Sequence, residues 1–183
     1  PVEKLHTTMS GRMSGKSKMD FETYVQRRYL KQILYEANHR FLEMSGGQFY
    51  LQLKENEQAG QKSNEGLDFM VYSTVTGTSR DIATLSGGES FMAALCLALG
   101  LADVVKRAAG SIHLDMMFVD EGFGSLDDHS RQQAVQMLVE LTGRENGGRM
   151  IGIISHVAEL KQQIGHILSV TKTETGSRIS WKD

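Results

Sequence analysis

A single cysteine, Cys96, in 183 residues excludes a disulfide scaffold and a multi-cysteine zinc site, and it suits a reducing compartment. The only proline is Pro1, so chain reversals fall to the 19 glycines. No run approaches the ~18 consecutive apolar residues of a membrane span, and no secretory pattern opens the chain. No membrane partner is therefore expected, and a cytoplasmic setting is. Charge of one sign is also missing. Twenty Lys and Arg against 22 Asp and Glu leave a formal −2, which excludes a globally basic, histone-like binder but not a local basic patch. There is no internal repeat. The opening Pro-Val-Glu-Lys, without Met, is expected of a fragment or a processed chain.

The length suits about one domain of ~150 residues, large enough to bury roughly two-thirds of its unfolded surface. Residues 1–19 are polar and aperiodic, which suggests a linker or disordered segment. The first 40 residues hold eight basic groups against four acidic ones, so the remainder is acidic. From Asp20 to about Met44, apolar residues recur at three- and four-residue steps: Phe21, Tyr24, Val25, Leu30, Ile33, Leu34, Ala37, Phe41 and Leu42. Gly46-Gly47 ends that helix. Alternation over Phe49–Leu53 and Leu67–Val71 predicts two strands, antiparallel to each other, around a polar loop at 55–66.

A helix follows from Ser90 to about Arg107, apolar on nearly all sides and so expected to be well buried. Leu114–Val119 is a short apolar run with a central-strand signature. Residues 128–142 suit a helix with Ala134, Leu138 and Leu141 inward. Met150–Ile154 suits another buried strand. A helix near 157–164 and strands near 166–172 and 177–182 complete the pattern. The alternation from 114 onward predicts an α/β fold with a parallel core sheet and attached antiparallel strands.

Four small features carry chemistry. Ser86-Gly87-Gly88-Glu89 opens a helix. Its glycines allow close backbone approach, its first-turn N–H groups favour an anion, and Ser86 can cap the helix and donate to a phosphate. An ordinary capped helix start fits those four residues equally well. Asp120-Glu121 stands at the C-terminal end of an apolar strand, where α/β sheets place ligands. One carboxylate can hold Mg²⁺ and the other can activate a water. An isolated Asp-Glu pair is more often a solvated turn, but here a strand aims it at one edge. Ser125-Leu126-Asp127 follows, with Asp127 or Asp128 also able to cap the next helix. His156 ends the next apolar strand. A lone His there is more often structural, yet it would emerge beside Glu121 if the strands are neighbours.

Together, in this order, these resemble an ATP-binding cassette. Leu85–Glu89 resembles its signature motif and Met116–Glu121 its Walker B strand with the catalytic glutamate. Ser125–Asp127 resembles the D-loop and His156 the switch histidine. The run Asp120–Asp127 (Asp-Glu-Gly-Phe-Gly-Ser-Leu-Asp) and Ile153–Val157 resemble the SbcC family of double-strand-break repair ATPases. Ala37-Asn38 through Met44–Tyr50 resembles the place where that family's coiled coil returns to its head. The resemblance covers about residues 20–183.

The resemblance implies an ABC-type ATPase head, P-loop NTPase-like, of which this chain is the C-terminal half. Residues 20–45 would be the coiled-coil base helix and 46–183 the C-terminal lobe. A phosphate-cradling Gly-x-x-x-x-Gly-Lys-[Ser/Thr] is missing. The one candidate, Gly15-Lys16-Ser17, has Ser10 where the first glycine belongs, and no strand precedes it. In the family that loop sits in the N-terminal lobe, beyond a long coiled coil. The chain alone is therefore expected to hydrolyse almost nothing.

By resemblance, two heads would sandwich ATP. Asp120 would place Mg²⁺, Glu121 would act as general base and His156 would sense the γ-phosphate. Ser86, Gly87, Gly88 and Glu89 would bind the nucleotide of the opposing head, and Asp127 would link the two sites. Expected partners are the N-terminal lobe, a second head in a homodimer, an SbcD-like nuclease subunit and double-stranded DNA. Arg27, Arg28, Lys31, Lys106 and Arg107 are the basic residues available to DNA, although a solvated charge set explains Lys106 and Arg107 better. Phe21, Tyr24 and Phe41 are expected to pack rather than to stack on bases. An SMC-type chromosome-organising head is the alternative, and a transporter cassette a more distant one.

Overall fold

A computed structural model describes residues 21–54, 67–110, 116–142, 150–174 and 176–182. The polar stretch 1–19 and the loop 55–66 lie outside the described residues. The chain divides into two compact units, residues 1–114 and 115–183.

In the first unit, helix α1 (Phe21–Met44) buries Ile33, Leu34, Ala37, Phe41 and Met44, spaced to fall on one stripe. Gly46 and Gly47 stop it at φ +59° and +77°. Their N–H groups donate back to Glu43 O and Leu42 O, which satisfies the helix's last carbonyls. Strand β1 (Phe49–Leu53) faces the helix through Leu51 and Leu53. Asn38 staples it there, donating to Leu51 O at 2.8 Å and accepting from Leu51 N–H at 2.7 Å.

Strand β2 (Phe69–Ser73) pairs antiparallel with β1, as the alternation predicts. A third strand, β3 (Thr78–Asp81), pairs with the other edge of β2. The sequence does not announce it, because Thr-Ser-Arg-Asp has no apolar alternation and forms an exposed edge.

Helix α2 (Gly87–Ala109) packs along α1. A Cβ on Gly100 would sit 2.7 Å from Ile33 O and 3.0 Å from Ala37 N, so the two backbones nearly touch there. Arg40–Asp103 at 2.8 Å and Arg107–Glu36 tie the crossing on either side. Cys96 is fully buried, its thiol pointing to Met44 Sδ at 3.6 Å. Burial pushes that thiol up to about 12, so it is packing and not a nucleophile.

Length and composition would let α2 cross a membrane. An unbroken apolar run does not mark it, because charged residues punctuate the helix near both ends. Met92, Leu95, Cys96 and Leu99 are nonetheless buried in the protein, as in a core helix. Two expectations need correction. Phe21 and Tyr24 do not pack: they are 53% and 56% exposed, because α1 is covered mainly from Ile33 onward.

In the second unit, β4 (Met116–Asp120) and β5 (Met150–Ile154) pair in parallel, with Asp120 beside Ile154. Helix α3 (Asp128–Thr142) connects them and buries Ala134, Val135, Leu138 and Leu141. The strands are not buried as predicted. Only Val119 of β4 is buried, while Met116, Phe118, Met150 and Ile154 stand exposed. Apolar residues occupy both faces, and among the described residues only one face is covered. The Phe118 ring lies over its pairing partner Gly152, where a Cβ would come within 2.5 Å of it.

The helix expected near 157–164 is a single 3₁₀ turn, Glu159–Gln162, with Leu160 as its buried anchor. Strands β6 (Ile167–Thr173) and β7 (Gly176–Lys182) form a separate antiparallel hairpin, so the parallel part is a two-stranded pair. On one face of the hairpin Leu168 pairs with Trp181 and Val170 with Ile179, all four exposed. The fold is α/β, with parallel and antiparallel strands in distinct sheets.

Candidate functional site

The residues singled out from the sequence fall in both units. In the first, Ser86 caps α2. Its Oγ accepts from Glu89 N–H at 3.2 Å, and the Glu89 carboxylate accepts from Ser86 N–H at 2.8 Å. Gly87 and Gly88 are the first two helical residues, where N–H groups have no intrahelical acceptor. Because the Ser86 oxygen is the acceptor in the cap, its proton can be given to another group.

Arg80, which no sequence pattern marks, braces this start. It donates to Thr84 O at 2.9 Å, lies 3.8 Å from the Glu89 carboxylate and sits 5.5 Å from the Phe49 ring centre. It stands on strand β3, whose polar residues give no alternation to read.

In the second unit, the parallel register carries Glu121 and His156 to neighbouring positions. Glu121 N–H donates to Ile154 O at 2.9 Å, extending the ladder by one bond beyond Asp120. His156, two residues past β5, brings Nδ1 to 3.0 Å from Glu121 Oε2 and 3.3 Å from Oε1. Both side chains are largely exposed, so the pair adds little stability.

Glu121 has φ +57°, and among the described residues it is the one non-glycine in the left-handed region. Such a conformation costs of order 1–3 kcal/mol in a residue with a Cβ and clusters at functional sites. Gly122, at φ +90°, lets the chain turn away at once.

The turn after Gly122 is anchored by Phe123, which is fully buried. Ser125 Oγ donates to Gly122 O at 2.7 Å. Asp127 caps α3: its carboxylate accepts from Ser130 N–H at 2.9 Å and from Ser130 Oγ at 3.0 Å. The Ser130 backbone N–H first, and then its hydroxyl, hold the Asp127 carboxyl below the usual aspartate range. Arg131, also unmarked in the sequence, donates to Phe123 O at 3.3 Å and Leu126 O at 2.9 Å and pairs with Asp128 at 3.0 Å.

Asp120 and Glu121 are adjacent, exposed carboxylates at one strand end. Among the described residues no cluster of three or more His, Cys, Asp or Glu could hold a metal on its own. Two oxygen donors fit Mg²⁺, which keeps several waters and leans on substrate phosphates, and do not fit a closed zinc site. The structure thus brings Glu121 and His156 into contact, with Asp120 and Asp127 bounding the same loop. Gly15-Lys16-Ser17 lies outside the described residues.

Solved structures share this fold. One, titled "Structural biochemistry of ATP-driven dimerization and DNA stimulated activation of SMC ATPases", matches 87% of this chain and 89% of its own at 16% identity and a TM-score of 0.66. An Smc head bound to the C-winged helix domain of ScpA matches 91% of this chain and 47% of its own at 18% identity and a TM-score of 0.62. At those identities the likeness establishes the ATPase-head fold alone.

Sequence relatives are much nearer. The SbcC component of the nuclease SbcCD from Vibrio cholerae serotype O1 is 49% identical over 94% of this chain and 17% of its own length. The protein of the same name from Staphylococcus haemolyticus is 44% identical over 99% of this chain and 17% of its own. That from Treponema pallidum is 41% identical over 96% and 17%. The chain therefore spans about a sixth of the curated relatives it matches. Residues 59–140 match the family described as SbcC/RAD50-like, Walker B motif, and with relatives this similar along nearly the whole chain, the chain belongs to the SbcC/RAD50-like family.

Proposed function

We propose that this chain is the C-terminal lobe of an SbcC-type ATPase head, and that it supplies the acidic and signature parts of an ATP site whose phosphate cradle lies elsewhere in the protein. The observation that carries the reading is the Glu121–His156 contact at the ends of two parallel strands. A left-handed carboxylate held against an imidazole at a strand edge is an arrangement for handling a water and a phosphate.

Glu121 takes a proton from the attacking water. The oxygen of that water bonds to the γ-phosphorus as the bond to the ADP oxygen breaks, and ADP and phosphate leave. His156, now on Glu121, donates to the γ-phosphate when nucleotide is present. Asp120 would hold Mg²⁺, which when bound neutralises charge on the phosphates. Ser86, Gly87 and Gly88 offer one hydroxyl proton and first-turn N–H groups to the γ-phosphate of the opposing head. Glu89 keeps Ser86 in place, and Asp127 connects the two sites across the head dimer.

The exposed apolar rows of β4–β5 and β6–β7 support a covering lobe. That lobe would be the N-terminal part of the head, with residues 20–45 as the base of the coiled coil and 46–183 as the C-terminal lobe. ATP-driven closure of two heads would then regulate an SbcD-like nuclease on double-stranded DNA in repair, in the cytoplasm. DNA would be held mainly through phosphates, with Arg28 and Lys31 exposed on α1 to contribute. Arg107 is committed to Glu36.

An SMC-type organising head is the second reading, favoured by the fold neighbours alone. Glu121→Gln in the intact protein tests the site. ATP hydrolysis should fall by about 10²–10⁴-fold while ATP stays bound. Retained hydrolysis would remove Glu121 as the base. Recovery of DNA tethering without a nuclease partner would favour the second reading.

A further inference from the structure

Resting on that reading of the site, we propose that Arg131 is a positioning residue for hydrolysis. From the first turn of α3 its guanidinium reaches back to grip the turn that carries Glu121 at one end and Asp127 at the other. Nε donates to Phe123 O at 3.3 Å and Nη2 to Leu126 O at 2.9 Å. The first carbonyl lies two residues after Glu121, and the second immediately precedes Asp127. One planar group therefore fixes the distance between the two functional ends of the turn.

The turn needs such a brace. Its own backbone bonds are two, at 3.2 Å from Ser125 N–H to Gly122 O and 3.3 Å from Leu126 N–H to Phe123 O, with Ser125 Oγ adding one to Gly122 O at 2.7 Å, and none of the three reaches Glu121 or Asp127. It begins with two consecutive positive-φ residues, one of them Glu121. Relaxation of that strain by even a fraction of an ångström moves the carboxylate relative to a bound phosphate.

Helix stabilisation does not explain Arg131. A cation in the first turn is disfavoured by the helix dipole, which prefers it at the other end. The side chain is only 14% exposed, and its two carbonyl bonds lie on the turn. Its third partner, Asp128, is 98% exposed, so that ion pair adds little. A lysine has one compact ammonium and cannot reproduce a fork that spans two carbonyls.

The experiment uses the intact protein, with Arg131→Met, Arg131→Lys, Asp128→Asn and Glu121→Gln compared by steady-state ATP hydrolysis, ATP binding and thermal unfolding. Arg131→Met should lower kcat by about tenfold to a hundredfold with KM for ATP changed less than about twofold, the pattern of a misplaced catalytic group. Low-millimolar guanidinium should restore part of the lost rate. Arg131→Lys should resemble Arg131→Met, and Asp128→Asn should resemble the parent.

An unchanged kcat in Arg131→Met overturns the proposal. So does a loss in which kcat, ATP binding and unfolding temperature fall together without guanidinium rescue, since that is a purely structural role. Glu121→Gln separates the two levels. If it abolishes hydrolysis while Arg131→Met is normal, only this inference fails. If it leaves hydrolysis intact, the reading of the site fails with it.

Discussion

The two units of this chain treat their apolar residues in opposite ways. In the first, α1 and α2 close on each other until Ala37, Phe41, Cys96 and Leu99 lose all contact with solvent. In the second, Phe118 on β4 is 65% exposed and Trp181 on β7 is 71% exposed. The same residue types form a finished core in one place and an open surface in the other. Apolar rows of this size on a folded protein mark a surface meant to be covered. On the reading proposed above, the first unit carries its own stability into the head, and the second supplies catalytic groups on a sheet that another lobe completes.

The contrast can be broken or sharpened in several ways. The largest effect should be chemical: Glu121→Gln in the intact protein should remove ~10²–10⁴-fold of the hydrolysis rate, whereas no change confined to the first unit's helical core should act through the chemical step. Next is stability. In this chain by itself, Phe41→Ala should cost about 3–5 kcal/mol by denaturant unfolding, while Trp181→Ala should stay within about 0.5 kcal/mol. An equal cost at Trp181 would mean that the second unit is as finished as the first.

Gly100→Ala should cost about 1–3 kcal/mol, because the new methyl would press on Ile33 O and Ala37 N where the backbones cross. Ser86→Ala should cost less, about 0.5–2 kcal/mol from loss of the cap. The smallest effect concerns pH. The Asp127 carboxyl is held low by Ser130. Its contribution is therefore present above the ordinary aspartate value and lost as pH falls through the lowered one. A comparison of the parent with Asp127→Asn by unfolding across the acid range should show their difference shrinking only at the acid end. A gap that widened with acid would reverse the assignment.

Much of the site was legible because it is written in short local patterns. An apolar run that stops at Asp120-Glu121, and another that stops just before Ser155-His156, set two strand ends side by side once the strands pair in parallel. The cap at Ser86 and the stop at Gly46-Gly47 are likewise local. Strand β3 was not legible, since a four-residue polar edge borrows its structure from β2. Arg80 and Arg131 were not legible either. Each reaches across a turn to carbonyls, and nothing in the spacing of residue types reveals where a long side chain goes. The exposure of β4 and β5 was misjudged for a related reason. Apolar residues on both faces say that both faces are to be covered, but not which part of a protein covers them.

The central claim is that the acidic and glycine-bearing groups here work only with a phosphate cradle contributed by another part of the protein. Its most direct test is ATP turnover by this chain alone and then mixed with the rest of the head, with Glu121→Gln as the control. The account predicts no turnover above background alone, recovery on mixing, and no recovery with Glu121→Gln. Turnover by the chain alone at the rate of the mixture would contradict it.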